Sequence, residues 1–159
     1  MKIKYLFPHR FKKIGWILLI PSLFIGFYSL YVNYEPEFLN IKVFTMWNDG
    51  LMESNKANFT LIENNVLNEI LGILIIVSSM FVAFSRQEIE DEFIEKIRLE
   101  SLVWATYLNY VVLLLAMIFV YDLSFFTIMT INMFTILFFF IIRFNWELFK
   151  LKKASKNEE

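Results

Sequence analysis

Four long apolar segments dominate the hydrophobic pattern of the chain. They cover residues 14–32, 67–84, 102–121 and 125–144, and each is 18 to 20 residues long. A helix rises about 1.5 Å per residue, so each segment can cross the roughly 30 Å hydrocarbon layer of a bilayer. Helices of soluble proteins are seldom apolar on all sides over such a length. The pattern predicts an all-α fold, an integral membrane four-helix bundle in which residues 1–159 form one membrane domain.

The connections between the spans differ in length. Residues 122–124 alone separate the last two spans, which predicts an antiparallel helical hairpin. Residues 33–66 are too few for an independent core, so we expect them to pack on the helix ends as a short hairpin or an interfacial segment. Thr60 and Glu63 have the spacing of a capping box, which predicts that the second helix begins before residue 67. We favour a connecting role for this loop over ligand sensing.

The segment at residues 85–101 has the most regular pattern of charged residues. Ser85 and Glu88 match a capping box, so a helix should begin here and run on into the third span. Charged residues four positions apart support that helix along one face, namely Glu92, Lys96 and Glu100.

An apolar stripe lies on another face of this predicted helix. Ile89, Phe93 and Ile97 recur every four residues, the spacing of one helix face. The stripe needs cover, either from lipid and neighbouring span ends or from a protein partner, and the pattern leaves both alternatives open. Ile89, Phe93 and Ile97 are therefore the candidate partner-binding residues.

Basic residues are distributed unevenly along the chain. If both tails and residues 85–101 lie on one side, that side holds 13 of the 15 Lys and Arg residues, and Lys42 and Lys56 remain in residues 33–66. The excess of basic residues on the inner side of membrane proteins predicts that both termini are cytoplasmic. The whole chain has 15 basic and 16 acidic residues, so it lacks the basic field typical of nucleic-acid binding.

Uncharged polar side chains are the chemistry available inside the spans. The candidates are Ser78, Ser79, Thr106, Asn109 and Thr135. We expect them to hydrogen-bond between helices, at about 0.6 kcal/mol for each bond, in preference to lining a polar pore. The deep parts of the spans carry no charge, which argues against proton-coupled transport.

Composition excludes several kinds of catalytic and metal site. The chain has no cysteine, which excludes disulfide scaffolds, catalytic thiols and zinc-thiolate sites. Its single histidine, His9, lies in a basic tail, so histidine-based triads and metal sites lack their parts. The acidic residues between Glu88 and Glu95 are better explained as a solvated helix face than as metal ligands. We predict no enzyme activity, no cofactor and no metal.

Three stretches resemble a known group of proteins. They are LFPHRFKKIGW at residues 6–16, EDEFIxKIRxESLxWA at residues 90–105, where x is any residue, and NMF at residues 132–134. These stretches resemble small four-span membrane proteins of Bacteroidota to which no activity is assigned. The resemblance covers nearly the whole chain and implies a bacterial inner membrane, and it supplies no catalytic residue.

Together these features favour a non-catalytic, multi-pass inner-membrane protein. The leading hypothesis is a signalling or regulatory accessory subunit that engages a cytoplasmic protein partner through residues 85–101. The alternative is a subunit of a small-solute transporter or channel. Membrane lipid is the expected surrounding, and homo-oligomer formation stays open.

The predicted topology can be tested with reporter fusions. Reporters fused at Lys13, Glu90 and Lys153 should be cytoplasmic, and a reporter at Asp49 should be outside, because of the uneven distribution of basic residues. Paired fluorescent-protein and alkaline-phosphatase fusions report whether each position is cytoplasmic or outside. A cytoplasmic signal from Asp49 would contradict the four-span topology.

Overall fold

The computed structural model describes residues 5–32, 34–46, 59–88 and 90–156. Its four helices are α1 (Arg10–Val32), α2 (Leu67–Phe84), α3 (Glu92–Phe119) and α4 (Leu123–Lys156). All four are long and apolar enough to cross a membrane. The predicted number and position of the apolar helices are therefore confirmed.

The chain forms two compact units, which are described separately. The first comprises Met1–Leu19 and Ile75–Glu159, and the second comprises Ile20–Leu74. In the first unit, α3 and α4 pack as the antiparallel hairpin that the short connection predicts. The ring of Trp104 meets that of Phe139 with centroids 6.3 Å apart, and Asn109 on α3 pairs with Asn132 on α4.

The core of the first unit contains stacked aromatic rings. Phe84 stacks on Phe140 at 5.5 Å, and Phe140 stacks on Phe144 at 5.6 Å. Val82 and Ala105 are fully buried with Phe140 and Phe144. This core holds the end of α2 against α4.

The N-terminal segment is held to the chain that follows α2. The Phe7 amide donates to the Phe84 carbonyl at 2.9 Å, and the Arg86 amide donates to the Phe7 carbonyl at 2.9 Å. The resulting parallel bridge pairs Phe7 with Ser85, whose hydroxyl donates to the Phe81 carbonyl. These bonds fix the end of α2 before residue 85.

The helix predicted at residues 85–101 begins later than expected. α3 starts at Glu92, with Asp91 as its N-cap, whose carboxylate accepts from the Ile94 amide at 2.9 Å. Ser85 does not cap it, because the bridge to Phe7 holds Ser85 in extended backbone. From Glu92 the helix is continuous with the third span, as predicted, and Ile89 lies outside the described residues.

The second unit contains a β-hairpin, one of the two predicted arrangements for residues 33–66. Strand β1 (Asn40–Thr45) pairs antiparallel with β2 (Thr60–Asn65), with Asn40 opposite Asn65 and Thr45 opposite Thr60. The predicted capping box at Thr60 and Glu63 is wrong, because both residues belong to β2. Asn65 Oδ1 instead accepts from the Leu67 amide at 3.2 Å, at the start of α2.

Within the first unit, α1 and α2 approach closely at Gly15. A Cβ atom added at Gly15 would lie 2.8 Å from Val82 Cγ2 and 3.0 Å from the carbonyl oxygen of Ser78. Real Cβ atoms essentially never approach other atoms within 3.0 Å, so this contact requires glycine.

Gly15→Ala should therefore destabilise the fold, even though alanine favours helix. We expect the free energy of unfolding to fall by about 1–3 kcal/mol, the usual cost of overpacking. Unfolding in detergent, followed by circular dichroism, measures this change. Val82→Ala in the same chain should relieve part of the loss, whereas Ile17→Ala, at an exposed position of α1, is the control. A Gly15→Ala variant as stable as the wild type would contradict the close contact.

Candidate functional site

A groove of about 390 Å³ lies between the first turns of α3 and the last turns of α4. Its apolar lining consists of Phe93, Ile97, Leu151 and Ala154. The groove exists because both helices continue beyond their apolar spans, α3 backwards to Glu92 and α4 onwards to Lys156.

Two residues of the predicted apolar stripe differ in burial at this groove. Ile97 is 8% exposed to solvent, whereas Phe93 is 54% exposed. Both residues line the groove, but only Phe93 is open to the surroundings. Ile97 is therefore packed internally, whereas Phe93 is accessible, and both alternatives for what covers Phe93 stay open.

Charged side chains of both signs edge the groove. Lys96 Nζ lies 3.9 Å from Glu100 Oε1, and Lys150 Nζ lies 3.1 Å from Glu147 Oε1. The Arg143 guanidinium lies over the Trp104 ring, 4.8 Å from its centroid. The rim therefore offers two exposed ion pairs and one further cation.

Two polar atoms in the groove lining are buried without a hydrogen-bond partner in the described part of the chain. They are Ser101 Oγ and Arg143 Nε. A hydroxyl and a guanidinium N–H are both donors, and a buried donor without an acceptor costs free energy. Neither Ser101 Oγ nor Arg143 Nε therefore has an acceptor in that part of the chain, although the carboxylates of Glu100 and Glu147 also line the groove.

Arg98, next to the groove residue Ile97, forms a buried ion pair that our sequence analysis missed. Its side chain is 4% exposed, and Nη2 donates to Glu90 Oε1 at 2.7 Å. The guanidinium also lies 5.0 Å from the centroid of the Phe144 ring. The available signal was the spacing of Arg98, Ser101, Ala105 and Asn109, which form the buried small and polar face of α3.

The charges near this pair affect one another. Arg98 and Lys12 both lie outside the apolar spans. Burial lowers the pKa of the Arg98 guanidinium, and the carboxylates of Glu90 and Glu95 raise it. Burial also lowers the pKa of the Lys12 ammonium, as do the neighbouring charges of Lys152 and Arg98, whereas Glu90 raises it. Glu90 therefore favours the charged form of cations from both α1 and α3.

The five polar residues predicted inside the spans have different surroundings. Ser78 and Ser79 are buried, and Ser78 Oγ donates to the Ile75 carbonyl at 3.2 Å. The hydroxyls of Thr106 and Thr135 donate to carbonyls four residues earlier in their own helices.

Asn109 forms hydrogen bonds between helices. Asn132 Nδ2 donates to Asn109 Oδ1 at 3.2 Å, and Asn109 Nδ2 lies 3.5 Å from Asn132 Oδ1. Sequence reasoning missed Asn132 as the partner, although an amide within the apolar span 125–144 was an available signal. This reciprocal amide pair links α3 to α4.

Comparison with known proteins finds no matching family model, no matching curated protein and no matching solved structure. The resemblance to the Bacteroidota group therefore stays a prediction.

The amide pair makes a specific prediction about stability. Asn109→Leu should lower the free energy of unfolding by up to about 1 kcal/mol, because it leaves the Asn132 amide without its partner. Leucine at both positions should recover most of this loss, since no polar group is then stranded. Melting of the single and double variants in detergent measures the coupling, with Thr135→Val as the control. Strictly additive effects of the two substitutions would contradict the pair.

Proposed function

We propose that this chain is a non-catalytic, multi-pass protein of a bacterial inner membrane that acts as a signalling or regulatory accessory subunit. Both termini and the groove lie on the cytoplasmic side in this proposal. The observation that carries it is the groove between α3 and α4, where the exposed Phe93 lies beside the buried Ile97.

The exposed surface of the helices supports the membrane location. Large apolar side chains are exposed along α3 and α4, including Tyr107, Leu114, Ile118, Met133 and Ile142. Soluble proteins rarely expose continuous apolar surface of this extent. Lipid would cover these side chains and so remove the free-energy cost of exposing them to water.

The arrangement of the first unit supports the proposed orientation. The N-terminal segment, the chain around residue 86 and the end of α4 lie together, because His9 Nδ1 is 3.0 Å from the Arg86 carbonyl and Lys12 Nζ donates to Gln87 Oε1 at 2.9 Å. The charge of Lys152 acts on Lys12 as well. Basic residues from three parts of the chain thus share one end of the unit, which suits the cytoplasmic face.

The groove favours one kind of occupant, an amphipathic helix from another membrane-associated protein. Its floor is apolar, and its rim carries Lys96 and Glu100 on one side and Glu147 and Lys150 on the other. An amphipathic helix places an apolar stripe between polar flanks, which matches this pattern. Phe93 supplies the aromatic anchor that commonly dominates such interfaces.

Site-specific photo-crosslinking tests the proposed partner. A photoreactive phenylalanine at position 93 should form an adduct with an amphipathic helix of one other protein in native membranes. The same residue at position 99 should not, because Leu99 is exposed on α3 and does not line the groove. Mass spectrometry of the adducts identifies the crosslinked segment.

Phe93→Asp completes this test. With the photoreactive residue moved to position 150, Phe93→Asp should reduce the adduct by about thirtyfold, the factor expected for a hot spot of about 2 kcal/mol. An unchanged adduct combined with a lower melting temperature would show that Phe93 is a packing residue. An adduct to a second copy of this chain, or to lipid, would contradict the proposed occupant.

A further inference from the structure

The end of the groove nearest the apolar spans has the chemistry of an anion site. Ser101 directly precedes the span at residues 102–121, and Arg143 lies one residue before the end of the span at residues 125–144. Both residues line the groove. In the proposed orientation this end lies at the level of the lipid headgroups.

Arg143 is the cation of the groove that lacks a carboxylate. Lys96 and Lys150 each have a carboxylate oxygen within 4.0 Å, whereas among the described residues no carboxylate lies that close to Arg143. Its Nε is buried without an acceptor, as is the Oγ of Ser101, which also belongs to the groove lining. Three cations and two carboxylates give the groove a net positive charge. A ligand that suits it would be anionic and would supply hydrogen-bond acceptors.

A phosphate group has both properties, because it is negatively charged and its oxygens accept hydrogen bonds from the planar guanidinium. Basic pockets between membrane helices on the cytoplasmic side bind the headgroups of anionic lipids. The Trp104 ring beneath Arg143 is half-buried and amphipathic, as side chains at the membrane interface commonly are.

We propose that Arg143 and the neighbouring groove lining bind the phosphate of an anionic phospholipid from the cytoplasmic leaflet. This inference rests on the membrane placement proposed above, and it does not depend on the proposed protein partner. Phe93 and Ser101 are separated by eight residues, or about 12 Å along α3. A partner side chain at the Phe93 end and a lipid phosphate at the Arg143 end can therefore occupy the groove together.

Native mass spectrometry of the purified full chain tests the lipid site. In detergent, phosphatidylglycerol should bind more tightly than phosphatidylcholine, and Arg143→Gln should weaken phosphatidylglycerol binding about tenfold, equivalent to 1.4 kcal/mol. Arg143→Lys should lose part of the affinity, because an ammonium keeps the charge but not the planar donor pair. Lys153→Gln removes an equal charge from an exposed position of α4 outside the groove and should leave binding unchanged.

A second pair of variants avoids the contact between Arg143 and Trp104. The double variant Lys96→Gln and Lys150→Gln changes two exposed groove residues and should also weaken phosphatidylglycerol binding. The control double variant, Lys13→Gln and Lys153→Gln, should leave binding unchanged. Equal weakening by the groove variants and their controls would overturn the proposal. Displacement of the lipid by inorganic phosphate at equal concentration would overturn the lipid as the source of the phosphate.

The outcomes separate this inference from the proposed function. Loss of selective phosphatidylglycerol binding, with the adduct at position 93 intact, would count against the lipid site alone. Retained lipid binding, with no protein adduct at position 93, would count against the partner alone. A cytoplasmic reporter at Asp49 would remove the membrane placement on which both proposals depend.

Discussion

Gly15 on α1 lies so close to Val82 on α2 that no methyl group fits between them. This close approach limits the size of the side chains at the contact between the two helices in the first unit. Ala105 is fully buried in the same unit, and Asn109 pairs with Asn132 across α3 and α4. Lipid is as apolar as a leucine side chain, so membrane helices gain little by hiding large apolar residues from it. Small side chains that allow close packing and the amide pair that bonds across helices therefore share the interior with the stacked rings of Phe140 and Phe144.

Arg98, which follows the groove residue Ile97 on α3, forms a partly buried ion pair with Glu90. The guanidinium contacts the Glu90 carboxylate and the Phe144 ring, which fixes the first turns of α3 relative to the preceding loop and to α4. Desolvation offsets much of the attraction in a buried ion pair, so this pair is weak evidence for a net gain in stability. Phe93 is left on the open side, where both proposed ligands can reach the groove.

Much of the helical fold follows from the sequence itself. The number of apolar helices depends on segment length and hydropathy, which are properties of each segment alone. The antiparallel pairing of α3 and α4 follows from their three-residue connection at residues 122–124, which leaves the second helix no other direction. The proposed cytoplasmic position of both termini likewise follows from the count of basic residues on each side of the membrane. None of these conclusions requires knowledge of a contact between distant residues.

Tertiary structure decided the secondary structure at positions where the local sequence signals were ambiguous. Ser85 has the sequence of a helix cap, but Phe7 pairs with it in a bridge from 78 positions away, so α3 begins at Glu92 instead. Thr60 has the same signal, yet pairing with β1 places it in a strand. A capping box satisfies only a few backbone groups, and a bridge or a strand ladder satisfies the same groups with a partner that local sequence does not reveal. The accessible groove at Phe93 depends in the same way on where the end of α4 lies.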